Sequence, residues 1–302
     1  MMFGGQTGAA DSFAIMDYAF DHGVNFFDTA NVYNQGESEQ IVGQWLKGRR
    51  NKVLLATKVF GRMGEDPNDA GLSRRNIVSA VDASLTRLGT DYIDFYYMHA
   101  PDYQTDPEES LQAMDGLVRA GKVRYMGVSN FAAWQIADIL HICDKRGYVA
   151  PAITQNVYNL ITRGLETELA PFLKAHPMAM VVYNPIAGGL LAGKHKPGTP
   201  AENTRFANNS MYYNRYWSDE NFAAVEKLSA ISDQYGVNLL TLSMKWCAAQ
   251  PLVTSIISGV SKLEQIRQNI ASLEGEPLGA DALAACDGVW KALAGTRFGY
   301  NR

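Results

Sequence analysis

Asp28, Lys58 and His99 each close a short apolar run, in VNFFD (24–28), KVLLATK (52–58) and YIDFYYMH (92–99), and Tyr33 lies in the turn after the first. These four side chains can share one reaction. A tyrosine hydroxyl is a weak acid, with an ordinary pKa of about 10. An ammonium beside it, such as that of Lys58, favours the phenolate and makes the proton easier to give. Asp28 can pair with Lys58 and keep it charged in a partly buried place. A neutral His99 can donate a hydrogen bond to a carbonyl oxygen that is gaining negative charge. A proton donor beside an oxyanion-stabilising group, with no metal-ligand cluster and no nucleophile elbow, suits reduction of a carbonyl. No side chain supplies hydride, so that chemistry needs a cofactor.

Taken singly, each residue has an ordinary reading. Asp28 caps a turn, Lys58 is a solvated charge, His99 is a core histidine, and Asn130 is the N-cap of a helix starting at Phe131. Tyr33 is one of 15 tyrosines. Together those readings require separate coincidences, because the remaining runs also end in polar groups. VRYMGVSN (123–130) closes on Ser129 and Asn130, and ITQN (153–156) on Gln155 and Asn156. MAMVVYN (178–184) closes on Tyr183 and Asn184, and VTSIIS (253–258) on Ser258, followed by Gly259.

The elements that must position these groups are legible in the pattern. Continuous apolar runs rich in β-branched and aromatic residues read as strands buried on both faces, as in a parallel sheet. Helical stripes lie between them: Ile77, Val81, Leu85 and Leu88; Leu111, Met114, Leu117 and Val118; Ile136, Ile139, Leu140 and Cys143. Asp106-Pro107-Glu108-Glu109 and Ser261-Lys262-Leu263-Glu264 read as capping boxes. Further helices are expected near 218–235, 239–249, 262–273 and 279–293, and Pro185 to Trp217 reads as one long irregular loop. Strand and helix alternate, so the class is α/β and the architecture a (β/α)8 TIM barrel, where strand C-termini converge on one site. No linker divides the chain, so residues 1–302 are expected to form one domain. Seven strands are clear, with MMFGG (1–5) as the remnant of another, which predicts a barrel whose first strand is truncated and whose closure is imperfect there.

Composition narrows the partners. The 302 residues carry 27 Lys plus Arg against 31 Asp plus Glu, a net charge of −4. That lacks the electrostatic footprint of a nucleic-acid or anionic-membrane binder. Cys143, Cys247 and Cys286 are widely spaced with no CxxC pair, which fits a reducing compartment and excludes a disulfide framework or a cysteine-rich metal site. The longest apolar stretch, 178–193, is broken by Pro185 and three glycines, so no membrane span is expected. MMFGGQTGAAD lacks the basic region and apolar run of a secretion signal, and the expected location is cytoplasmic.

In order along the chain, FFDTANVY (26–33), ATK (56–58), MHAPD (98–102), GVSNF (127–131), YNPIAGGLLAGK (183–194) and GVSKLEQIRQN (259–269) resemble the signature segments of the aldo-keto reductase family. The resemblance implies that Tyr33 is the proton donor, tuned by Asp28 and Lys58, and that His99 orients and polarises a small-molecule carbonyl substrate. It implies that Ser129, Asn130 and Gln155 hold a nicotinamide carboxamide and that Tyr183 stacks on the ring. Asn184, Pro185, Ile186, Gly188, Lys194 and Arg205 would cover the pyrophosphate and ribose, with Gly259, Ser261, Lys262, Gln265, Gln268 and Asn269 at the adenosine end. A helix opening near Lys262 offers free N–H groups to a phosphate independently of any resemblance. Lys262 suits a 2′-phosphate, which favours NADP over NAD, although the stronger arginine signature of many relatives is missing. Potassium-channel β-subunits are similar in the GxSxxxQxxxN segment, so a cofactor-binding regulatory subunit with little turnover is the alternative. A Schiff-base lyase using Lys58 is a third reading, disfavoured because Asp28 should keep that amine charged. Phe60, Met63, Tyr103, Trp134, Tyr212, Tyr213 and Trp217 are candidate pocket walls; the aromatics of 199–217 either line the pocket or pack the loop.

Overall fold

The computed structural model describes residues 1–202 and 204–295. All seven apolar runs become strands: β1 (Phe26–Asp28), β2 (Leu54–Val59), β3 (Ile93–Met98), β4 (Val123–Ser129), β5 (Ile153–Val157), β6 (Ala179–Tyr183) and β7 (Val253–Ile256). They form one sheet in chain order, with β1 through β5 paired parallel. Among the described residues there is no eighth strand. The segment expected as a strand remnant is instead a turn, with a single bridge from Phe3 to Thr7.

The chain forms two compact units. The first comprises residues 1–156, 168–181 and 259–267; the second comprises 157–167, 182–258 and Gln268 onward. In the first, helices α1 (Ala9–Asp21), α2 (Glu37–Leu46), α3 (Arg74–Leu88), α4 (Pro107–Arg119) and α5 (Ala133–Arg146) alternate with the strands, and α6 (Leu169–Ala175) precedes β6. The expected stripes are the buried faces of α3, α4 and α5, with Leu85, Val118 and Leu140 only half-buried at their margins. Each fully buried leucine or isoleucine on them contributes roughly 1.5–3 kcal/mol relative to exposure. Ser73 caps α3, and Asp106 caps α4 by accepting from the Glu108 N–H at 2.9 Å. Glu109, expected to complete the capping box, instead accepts from the Arg74 N–H at 2.9 Å, at the start of α3.

Register sets the inward rows of this sheet. Asp28, Ala56, Phe95 and Tyr125 are paired in sequence across β1 to β4, and Lys58, Tyr97, Gly127 and Ile153 are paired one step further along β2 to β5. Side chains alternate faces with period two, so these rows share a face, and Leu55, Thr57, Tyr96 and Val128 point the other way into the helical layer.

In the second unit, α7 (Arg205–Asn208), α8 (Ser210–Tyr216), α9 (Asp219–Gln234), α10 (Leu239–Ala248) and α12 (Ala280–Ala294) are joined by β7, and α11 (Leu263–Ala271) crosses from one unit into the other. The stretch 185–217, read from sequence as irregular, holds a 3-10 turn at Ala187–Ala192 besides α7 and α8. Its aromatics drive that order. Phe206, Tyr212 and Tyr216 are buried, and Trp217 packs on Phe206, His195 and Phe222 with ring centroids 4.9, 5.6 and 5.0 Å away. For these residues the loop-packing reading of the sequence is the one observed.

The cysteines are unpaired and buried, with burial pushing the thiols of Cys143, Cys247 and Cys286 up to about 11, 12 and 11. Among the described residues no helix is long and apolar enough to cross a membrane, and no group of acidic, histidine and cysteine side chains could hold a metal ion.

Glu39 on α2 has no solvent exposure. It accepts from Arg87 Nε at 2.7 Å and from Thr57 Oγ1 at 2.5 Å, which ties α2, α3 and β2 together. Removing one partner of a buried pair leaves an uncompensated charge. Arg87→Ala should therefore cost about 3–5 kcal/mol in urea unfolding, and Glu39→Gln less, because the charge it leaves unpaired, on Arg87, is partly open to solvent.

Candidate active site

The first unit gathers the four sequence-predicted groups by itself. Lys58 sits near the C-terminal end of β2, fully buried, and its ammonium donates to Asp28 Oδ1 and to the Thr29 carbonyl at 2.8 Å. Burial opposes the ammonium, but the Asp28 carboxylate and the Tyr33 phenol outweigh it and raise the Lys58 pKa. A raised value keeps the ammonium charged throughout the neutral range, and the stability it contributes is lost only as pH rises through that value. A lysine in this state is not the free amine that Schiff-base chemistry requires.

Tyr33 is held over the same ammonium, with Lys58 Nζ 5.2 Å from its ring centroid. It opens a tight turn in which Asn34 and Gln35 both take positive φ, 49° and 54°. The Asn34 carboxamide fixes that turn by donating to the Phe3 carbonyl at 2.6 Å and to the Met1 carbonyl at 3.1 Å. His99 follows β3, and its ring meets Tyr33 edge-on at 5.7 Å between centroids. Burial and the Lys58 charge lower its pKa to about 3, so the imidazole is neutral and keeps one N–H to donate.

Three expected cofactor residues adjoin this cluster. Ser129 and Gln155 are paired across β4 and β5 and are buried. Gln155 Nε2 donates to Asp28 Oδ2 at 2.9 Å, a bond that no sequence spacing announces. Asn130 adopts φ 63° and does not cap a helix at Phe131, because α5 starts at Ala133; its carboxamide donates to the His99 carbonyl and to Ser129 Oγ, both at 3.1 Å.

Gly259, Ser261, Lys262 and Gln265 also belong to the first unit. The Gln265 side-chain oxygen accepts from the N–H groups of Ser261 and Lys262 at 2.8 and 3.2 Å and from the Ser261 hydroxyl at 3.2 Å, so it is Gln265 that binds the N–H groups opening α11, where the sequence pointed to Glu264. Lys262 is exposed, and a side chain at Gly259 would meet open space.

The second unit carries the remaining expected residues. The Tyr183 phenol is bonded to the Arg215 guanidinium, which also reaches Tyr216. Asn184 adopts φ 60°; its carbonyl accepts from Asn159 at 2.9 Å and its side-chain oxygen from the Tyr212 hydroxyl at 3.3 Å. After Pro185, the Ile186 carbonyl accepts from the Gly189 N–H at 2.9 Å, and Ala187, Gly188 and Gly189 all have positive φ. Arg205 lies over the Tyr212 ring at 4.8 Å, Lys194 and Gln268 are exposed, and Asn269 donates to Ser258 Oγ at 2.8 Å.

Sequence reasoning missed Thr29, Tyr97, Asn159 and Arg215. Tyr97 had a usable signal, since it stands two residues before His99 in one extended run of the sequence and so shares its face. Arg215 had none, lying in a stretch with no strand or helix period.

The chain matches the aldo/keto reductase family model over residues 1–291. A probable voltage-gated potassium channel subunit beta of Arabidopsis thaliana is 38% identical, covering 91% of this chain and 86% of that protein. Aflatoxin B1 aldehyde reductase member 2 of Rattus norvegicus is 33% identical, covering 97% of this chain and 84% of its own length. An uncharacterized oxidoreductase of Bacillus subtilis is 36% identical over 91% of this chain and 85% of its own.

His99 supplies a direct test of the electrostatics. A folded pKa of about 3 lies below the ordinary histidine value of about 6.5, so its contribution to stability is complete above 6.5 and is lost as pH falls toward 3. In NMR the His99 ring protons should stay flat from about pH 8 to about 4.5, and His99→Gln should narrow the stability gap between those two pH values.

Proposed function

This chain belongs to the aldo/keto reductase family, and we propose that within it the protein is an NADPH-dependent reductase of aldehydes or ketones, reversible as an alcohol dehydrogenase. We propose also that residues 1–302 form a single (β/α)8 domain of the family's kind, acting as a soluble cytoplasmic enzyme on a small carbonyl compound. The observation that carries the reading is the closed set of four: Lys58 bound to Asp28, Tyr33 over the ammonium, and neutral His99 edge-on to Tyr33.

Each residue then has one task. Tyr33 gives its proton to the substrate oxygen, and the Lys58 ammonium stabilises the phenolate that remains. Asp28 and the Thr29 carbonyl hold that ammonium in line. His99 donates its N–H to the same oxygen and fixes the substrate's approach. The bound nicotinamide cofactor supplies the hydride.

The residues present fit such a cofactor chemically. Ser129, Asn130 and Gln155 offer amide and hydroxyl groups suited to a carboxamide, and Tyr183 offers a ring face. The turn that runs from Asn184 through Pro185, Ile186 and Gly188, with Lys194 and Arg205 further along the chain, supplies the positive charge suited to a pyrophosphate. Gly259, Ser261, Lys262, Gln265, Gln268 and Asn269 suit the adenosine end, where Lys262 provides the charge for a 2′-phosphate.

The identity with channel β-subunits favours a second reading, a regulatory subunit that binds the cofactor with little turnover. A broad carbonyl panel separates the two: NADPH oxidation on some members is expected, and tight NADPH binding with no turnover on any would give the role to regulation.

Two substitutions test the assignment. Tyr33→Phe should reduce turnover by about 10³-fold or more while NADPH binding by fluorescence stays within about threefold, in keeping with loss of a general acid. Lys262→Ala should weaken NADPH about tenfold and NADH little, reflecting one charge-assisted contact to a phosphate.

A further inference from the structure

Tyr97 is a fully buried side chain that the mechanism above leaves without a task. In the sheet it stands between Lys58 on β2 and Gly127 on β4, paired with both. Gly127 lies within the strand with ordinary extended backbone, so no positive φ demands a glycine there. Space does: a Cβ at Gly127 would lie 2.6 and 2.7 Å from Tyr97 Cδ1 and Cε1 and 2.7 Å from Ile153 Cγ2. A strand glycine of this kind marks the close approach of other groups, and here the Tyr97 ring comes nearest, opposite Ile153 on the next strand. On its other side, Lys58 Nζ lies 5.8 Å from the ring centroid, within the range of attraction between a cation and an aromatic face.

The hydroxyl of Tyr97 is buried, with the Gln155 side chain as its hydrogen-bonding neighbour. The Asp28 carboxylate is also near it, and burial keeps the phenol protonated. The part of the residue within reach of the ammonium is its ring.

We propose that the Tyr97 ring is a positioning element for the Lys58–Asp28 pair: its face attracts the ammonium and its bulk keeps water from it, and Gly127 is small in order to admit it. This rests on the reductase reading, because the purpose of a fixed ammonium is to tune Tyr33. The ring acts through Lys58 and touches neither substrate nor cofactor.

The test compares two isosteric rings, Tyr97→Phe and Tyr97→pentafluorophenylalanine. Both keep the shape that Gly127 accommodates, so both should fold, as checked by melting and NADPH titration. Only the fluorinated ring reverses the charge of its face. The first readout is the pH dependence of kcat/KM for reduction, which falls on the alkaline side as Tyr33 loses its proton. Tyr97→Phe should keep the parent profile. The fluorinated variant should move that limb upward by about half a pH unit, since a less firmly held ammonium favours the phenolate less. The second readout is the titration of the Lys58 Cε signal by NMR, which needs no turnover and should move downward in the fluorinated variant alone. Identical Lys58 titrations in the two variants would overturn the proposal, and a change already present in Tyr97→Phe would assign the role to the hydroxyl instead. A parent protein that binds NADPH but reduces nothing would overturn the reductase reading, while the Lys58 titration would still decide the part played by Tyr97.

Discussion

A lysine ammonium with no exposure to water is the constraint around which the first unit is arranged. Such a charge costs several kcal/mol to bury unless it is paired and hydrogen-bonded. Its partners come from separate elements: the Asp28 carboxylate and Thr29 carbonyl from the end of β1, and aromatic faces from the turn at Tyr33 and from β3. Strand register supplies all of these at once, because a slip of one residue on β2 would send Lys58 into the helical layer and an apolar residue to Asp28. Stability and chemistry thus make the same demand on the same side chain.

That demand explains what could be read in advance. Opposite charges ending adjacent parallel strands are bound to meet, so Asp28 and Lys58 are legible from two short runs. Unbroken apolar runs such as KVLLATK become strands because a sheet covered on both faces needs no alternation. Contacts between residues distant in sequence are not legible in this way. Gln155 reaches Asp28 across 127 positions, and no local pattern distinguishes that amide from one pointing elsewhere. Competition among acceptors is also invisible: Glu109 binds the start of a neighbouring helix, and Gln265 takes the N–H groups assigned to Glu264. The stretch 185–217 misled for another reason. Its Asn and Gly content reads as loop, while its Phe, Tyr and Trp residues bury themselves and impose short helices.

The second unit handles its polar groups differently. Tyr183, Asn184, Asn159, Tyr212, Arg215 and Tyr216 are linked to one another by hydrogen bonds. Asn184 takes a left-handed conformation that asparagine tolerates better than most residues. One small network thus fixes both the Tyr183 ring, by its hydroxyl, and the bend of the backbone at Asn184. Both features follow from side chains that have no period in the sequence.

The three buried thiols have a meaning for cell chemistry. Sulfur reacts with oxidants and electrophiles as the thiolate, and burial raises all three cysteines to about 11 or 12 and removes them from the surface. An aldehyde or a peroxide diffusing over this protein meets no ionised sulfur to form an adduct with. A protein of this make-up keeps its thiols reduced and unmodified where oxidants and electrophiles are abundant.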